Sequence, residues 1–187
     1  MRRQLLPALR MLVVMTLLAG LAYTAAVTTL AQTLFEERAD GSQVAHEGVV
    51  VGSELLGQNF DNAGYFHPRP SAVGYDPSLS GGSNLGPNNP VLLEAVAARA
   101  DAYRAVNGLA PGTPVPVDAV TTSASGLDPH ISVANARLQA PRVASERGLA
   151  VEEVLALIDR QTGQAPLTYL ADSTINVLRL NLALDNL

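Results

Sequence analysis

The sequence predicts an α+β domain carried behind a single N-terminal transmembrane helix. Three observations predict it. An uncharged apolar run covers Met11 to Phe35, capped stretches of helical periodicity fill the second half, and β-type runs lie near the start and end of the remainder.

The run Met11–Phe35 is rich in Leu, Val, Ala and Thr. About 20 apolar residues cross a bilayer core, so it is long enough to span with slack for tilt. A cleaved signal peptide is the rival reading, and Thr29-Leu30-Ala31 loosely fits a small-x-small cleavage site. Signal h-regions run only about 7–15 residues, so length favours a retained anchor. Arg2, Arg3 and Arg10 precede the run, while Glu36, Glu37, Arg38 and Asp40 follow it. Positive flanks stay inside, which puts 1–10 in the cytoplasm, 11–35 across the membrane and 36–187 in an extracytoplasmic domain. Thr16, Gly20, Thr24 and Thr28 recur every four residues. Such a ridge of small side chains lets a partner helix pack closely.

Val49, Val50 and Val51 between two glycines read as a short buried strand, with a tight turn segment over Glu54–Phe60. Residues 64–89 form a long irregular stretch with five Gly and four Pro. Long loops in compact domains are functional or disordered, and Tyr65, Phe66 and Tyr75 favour the ordered choice. A helix from Pro90 to about Asn107 follows, capped by Asn89, stopped by Gly108 and buried along Val91, Leu92, Ala95, Val96, Arg99, Tyr103 and Val106. After a second Pro-rich connector, Ser132 caps a helix towards Arg147 in which Pro141 predicts a kink or a split. A third helix, about Val151 to Thr162, buries Val154, Leu155 and Ile158. From Ile175 onward apolar and polar residues alternate, and Leu178, Leu180, Leu182 and Leu184 predict a closing strand with one buried face.

Charge narrows the function. All 12 basic residues are Arg, and from Glu36 onward nine of them face 17 acidic residues, a net of −8. That sign disfavours nucleic acid. With no Lys the chain has no phosphate-loop lysine and no Schiff base, and with no Cys it has no thiolate chemistry. Ser123, Ser125, Asp128 and His130 crowd together without a Gly-x-Ser-x-Gly elbow, so a turn around Asp128-Pro129 is the simpler reading. His46, His67 and His130 lack metal-ligand spacing. Leu79-Ser80-Gly81-Gly82-Ser83 resembles the ABC-transporter signature, but no ABC domain surrounds it.

Three segments and the ending together carry a more specific likeness. They are Gly52-Ser53-Glu54-Leu55-Leu56-Gly57-Gln58-Asn59-Phe60, Tyr65-Phe66-His67-Pro68-Arg69-Pro70-Ser71-Ala72 with Ser80–Pro87, Ser125–Ser132 with Gln139–Ala144, and Asn176–Asp185. The chain resembles the C-subunit family of the bacterial Kdp potassium-transporting P-type ATPases over nearly its whole length. The resemblance implies a non-catalytic accessory subunit of a potassium-uptake pump in the inner (plasma) membrane. Its implied partners are a channel-like potassium-translocating A subunit, a P-type ATP-hydrolysing B subunit and a small F peptide. It also implies a catalytic-chaperone role that raises the B subunit's ATP affinity, with ATP held near Gln139, Ser80, Gly81 and Gly82. The charge flanks point elsewhere, because they put those residues outside the cell. Our expectation is a cap over the side from which potassium enters, docked through Tyr65, Phe66, His67 and Arg69 and through the ridge Thr16, Gly20, Thr24 and Thr28.

Overall fold

The structure, a computed structural model, describes residues 2–163 and 172–187. It divides into two compact units, residues 1–43 and 44–187.

The first unit is one long helix and a short helical turn. Helix α1, Arg2–Met15, continues as a π-helix over Thr16–Tyr23 and then as α2, Thr24–Leu34. Arg3–Leu34 is long and apolar enough to cross a membrane, and none of its window is buried by protein. The helix therefore starts earlier than the uncharged run, taking in Arg3, Pro7 and Arg10. Basic side chains near a membrane helix end can reach to the headgroups, so charge limits the apolar core and not the helix. Helix α3, Glu36–Ala39, ends this unit's regular structure.

The second unit mixes helices with two small sheets. Strands β1, Gln43–His46, and β2, Val49–Ser53, pair through a turn in which Glu47 and Gly48 both take positive φ. The expected strand is present, but its burial is not: Val49, Val50 and Val51 are all exposed. A lone hairpin has no second layer to cover either face. No helix or strand occurs from 54 to 89, as anticipated.

Helix α4, Pro90–Val106, begins where Asn89 accepts a hydrogen bond from the Val91 amide at 2.9 Å. Its expected buried face is only partly realised. No residue of α4 is fully buried, and Val91 and Val106 are exposed, because the short α5, Val117–Val120, is its main neighbour.

The core lies around α6, Val133–Arg147, α7, Val151–Gln161, and α8, Val177–Asp185. It is closed by antiparallel strands β3, His130–Ser132, and β4, Thr174–Asn176, with Ile131 opposite Ile175. Ser132 caps α6, accepting from the Asn135 amide at 3.1 Å. Pro141 does not split that helix. Its ring is exposed, so the bond it cannot donate is missing on the solvent side, while Ala140, Val143 and Ala144 pack inward.

The expected final strand is the largest correction. Only Thr174–Asn176 is strand, and the leucine run is helix α8. The residues that reach the core are Val177, Leu178, Leu180, Asn181 and Leu184, a helical set. Leucine every second position also contains i, i+4 pairs, unbranched Leu favours helix, and the Asn176 side chain caps the turn by accepting from the Arg179 amide at 3.1 Å.

Candidate functional site

The start of the loop 63–76 is held by side chains from the core helices. Phe66 is fully buried and inserts into the core cluster with Ala140, Ile175 and Leu180. Two amide side chains grip its surroundings as a strand partner would. Asn181 of α8 accepts from the Phe66 amide at 2.8 Å and donates to the Phe66 carbonyl at 3.0 Å. Gln139 of α6 does the same for the next residue, accepting from the His67 amide at 2.7 Å and donating to its carbonyl at 3.1 Å. The loop is thus fixed without any sheet.

The rest of Gln139 is also engaged. Its Nε2 donates to Asn135 Oδ1 at 2.9 Å, and its Oε1 accepts from Arg142 Nη2 at 2.9 Å. Two donors and two acceptor positions are all filled, and only 1% of the residue is exposed. The network runs on. Asn135 accepts from the Tyr103 hydroxyl at 2.8 Å and donates to Asp118, which also holds the Ser132 amide and hydroxyl. Arg142 donates to the carbonyls of Ala63 and Tyr65 and to Asn107. Burial, helped by the Arg142 charge, lowers the His67 pKa below its usual value, and its ring meets the Asn62 carbonyl at 3.2 Å. Burial and the charge of Asp118 push the Tyr103 hydroxyl far up.

Tyr65 stands at the rim of this loop. Arg147 lies over its ring, 4.5 Å from the centroid, and both Arg147 and the Tyr65 hydroxyl bind Asp185. Arg69 pairs with Asp128 at 2.9 Å, and Asp128 in turn accepts from the His130 amide at 3.0 Å. Burial works against the Asp128 carboxylate, yet the His130 hydrogen bonds and Arg69 together hold its pKa below the normal value. The cluster that resembled a nucleophilic site is therefore a turn pinned to Arg69.

Ser80, Gly81 and Gly82 sit on that same turn region. The Gly81 amide donates to the Ser125 carbonyl at 2.9 Å, and a Cβ on Gly82 would lie 3.2 Å from the Ser123 carbonyl. Gly126, at φ +70°, lies at the crossing, where a Cβ would come within 2.5 Å of Val73 and 2.8 Å of the Gly81 carbonyl. Ser71 ties the layers by donating to the Gly126 carbonyl at 2.6 Å. Among the described residues, no hydrogen bond joins Gln139 to Ser80–Gly82; each belongs to a different clasp. No His/Cys/Asp/Glu group with metal-holding geometry occurs among the described residues.

In the membrane-type helix, Thr16, Gly20, Thr24 and Thr28 are all exposed. A Cβ on Gly20 would meet only Thr16 Cγ2, at 3.9 Å. A step of four overshoots an α-turn by about 40°. In the π-helical stretch, with its i to i+5 bonds, the same step falls short of a turn. The two deviations oppose each other and keep the ridge near one line.

Sequence reading missed Asn107, Asn135 and Asn181. The signal was there to find: a polar residue at a core position of an apolar period must have a buried partner.

The family described as "KdpC: K+-transporting ATPase, c chain" matches residues 5–186. The "Potassium-transporting ATPase KdpC subunit" of Mycobacterium tuberculosis (strain ATCC 25618 / H37Rv) is 54% identical over 100% of both chains. Its namesake in Polaromonas naphthalenivorans is 53% identical over 100% of this chain and 96% of its own. That of Rhodospirillum rubrum is 50% identical over 99% and 96%.

Proposed function

The chain belongs to the KdpC family, the c chain of K+-transporting ATPases, and from that membership we propose an accessory, non-catalytic role in an ATP-driven potassium pump. In this reading the N-terminal helix anchors the subunit in the inner membrane and packs on a partner helix through Thr16, Gly20, Thr24 and Thr28. The domain stands outside the cell and caps the channel-like A subunit on the side from which potassium enters. It assembles with the ATP-hydrolysing B subunit and the small F peptide and stabilises the whole.

The observation that carries this reading is the clamp on loop 63–69. Asn181, Gln139 and Arg142 immobilise its backbone, so the partly exposed side chains Tyr65, His67 and Arg69 offer a preorganised docking surface. Phe66 serves that surface from beneath, as its anchor in the core. The charge flanks support the outside placement.

The second reading, a nucleotide-binding chaperone acting through Gln139, meets two physical objections. Gln139 has no hydrogen-bonding capacity left for ATP without dismantling the clamp. The net charge of −8 from Glu36 onward repels phosphates.

An exported reporter enzyme fused after Leu187 tests the placement, and we expect it to be active. Calorimetry of the full-length chain with ATP at physiological ionic strength tests the alternative. Saturable micromolar binding would overturn the docking reading in favour of the chaperone.

A further inference from the structure

Five of the nine arginines from Glu36 onward pair with a carboxylate: Arg69, Arg104, Arg137, Arg147 and Arg179, at 2.7–2.9 Å for the first four. Arg38 and Arg160 are exposed, where water serves as well. Two remain. Arg142 is only 8% exposed, and its four hydrogen-bond acceptors, Ala63, Tyr65, Asn107 and Gln139, are all neutral, the charge of Glu146 acting on it without a direct ion pair. Arg99, half-buried on α4, donates a hydrogen bond to the Val120 carbonyl at 3.1 Å and forms no ion pair among the described residues. A guanidinium partly withdrawn from water with no carboxylate paired to it is unfavourable, and in a domain of net −8 the missing ion pairs are conspicuous.

Both lie at one place. A notch of about 210 Å³ opens between α4 and the clamped loop, with His67, Arg99, Tyr103 and Asn107 as polar lining and Pro68, Ala102 and Val106 among the apolar walls. Arg142 stands directly behind it, bonded to Asn107 at 2.9 Å. No acidic residue lines the notch. Low-polarity walls strengthen any charge pair formed inside.

We propose that this notch receives an acidic side chain from another subunit of the complex, with Arg99 as its direct partner and Arg142 as the supporting charge. A carboxylate suits it better than a phosphate, because only one guanidinium lines the opening and part of it already serves Val120. A side chain suits it better than a free anion, because its methylenes would cover Pro68, Ala102 and the exposed Val106. The inference rests on the docking role proposed above and names the partner chemistry at that surface.

The test uses full-length chains added to the pump complex lacking this subunit, in detergent, at two NaCl concentrations. Arg99→Gln should weaken association about tenfold or more, and Arg99→Glu further. Arg99→Lys should recover part of the loss, since it keeps the charge but not the fork. The unaltered chain should lose affinity with salt more steeply than Arg99→Gln does. Thermal unfolding of the free variants, followed by circular dichroism, should stay close to that of the unaltered chain, which separates a lost contact from a lost fold. Normal association of Arg99→Gln with an unchanged salt response would overturn the inference. So would saturable millimolar binding of acetate or inorganic phosphate by the free chain, read from the His67 ring signals, because it assigns the notch to a free anion. A silent exported reporter after Leu187 would instead sink the docking reading itself, so the two failures are distinguishable.

Discussion

Replacing Gln139 by Ala removes four hydrogen bonds at once, to the His67 amide and carbonyl, to Asn135 and to Arg142, at 2.7–3.1 Å. A buried polar group left alone loses about 1–3 kcal/mol. The four groups are not equally stranded. Arg142 keeps three acceptors and Asn135 keeps the Tyr103 hydroxyl, so their losses are partial. The His67 amide and carbonyl lose the partner that bridges both, although water can enter the vacated space. Together these place the destabilisation at about 2–4 kcal/mol. At about 3 °C per kcal/mol for a domain of this size, the melting midpoint should fall by about 6–12 °C. Gln139→Glu still accepts from His67 and Arg142 and should fall by roughly half as much. Circular dichroism melts of the full chain in detergent measure this, and hydrogen exchange at the His67 amide should quicken in parallel. A midpoint within about 1 °C of the unaltered chain, with a drop in the pump's ATP affinity, would refute the clamp and return Gln139 to a ligand-binding role.

Gly126→Ala forces a side chain into positive φ against Val73 and the Gly81 carbonyl, and should destabilise by about 1–3 kcal/mol in urea unfolding. Asp128 has a lowered pKa, so its contribution is complete above about pH 4 and is lost as pH falls below it. Asp128→Asn should therefore flatten the acid limb of the stability curve and leave the fall at higher pH unchanged. His67, also lowered, resists protonation in the fold, so stability should decline as pH drops through about 6.5, and its ring signals should titrate below that value. Gly20→Leu fills the ridge of the membrane-type helix and should reduce co-purification with the pump; equal recovery would make that helix a simple anchor.

How much of this was legible in the sequence follows the range of each interaction. Caps at Asn89 and Ser132, the helices they start, the irregular stretch 54–89 and the apolar span all act within a few residues, and each is where the local chemistry demands. Pro141 and the leucine run misled because the local signal was ambiguous. A proline ring on the solvent side does not stop a helix, and leucine at every second position satisfies two periods. For Gln139, Tyr65 and Arg69 nothing local in the sequence names the partners that the fold supplies, His67, Asp185 and Asp128.

By itself, then, the sequence determined the family, a helix long and apolar enough to cross a membrane, the mixed fold and the polar residue types embedded in apolar periods. Only the tertiary structure decided that Gln139 and Asn181 grip a loop 72 and 115 residues away, that α4 keeps an open face, and that Arg99 and Arg142 are partly or wholly buried on neutral acceptors. The physical reason is that a hydrogen-bonding group announces its need for a partner locally, whereas the partner is chosen by packing. The core must close before Asn181 meets Phe66, and no spacing along the chain encodes that meeting.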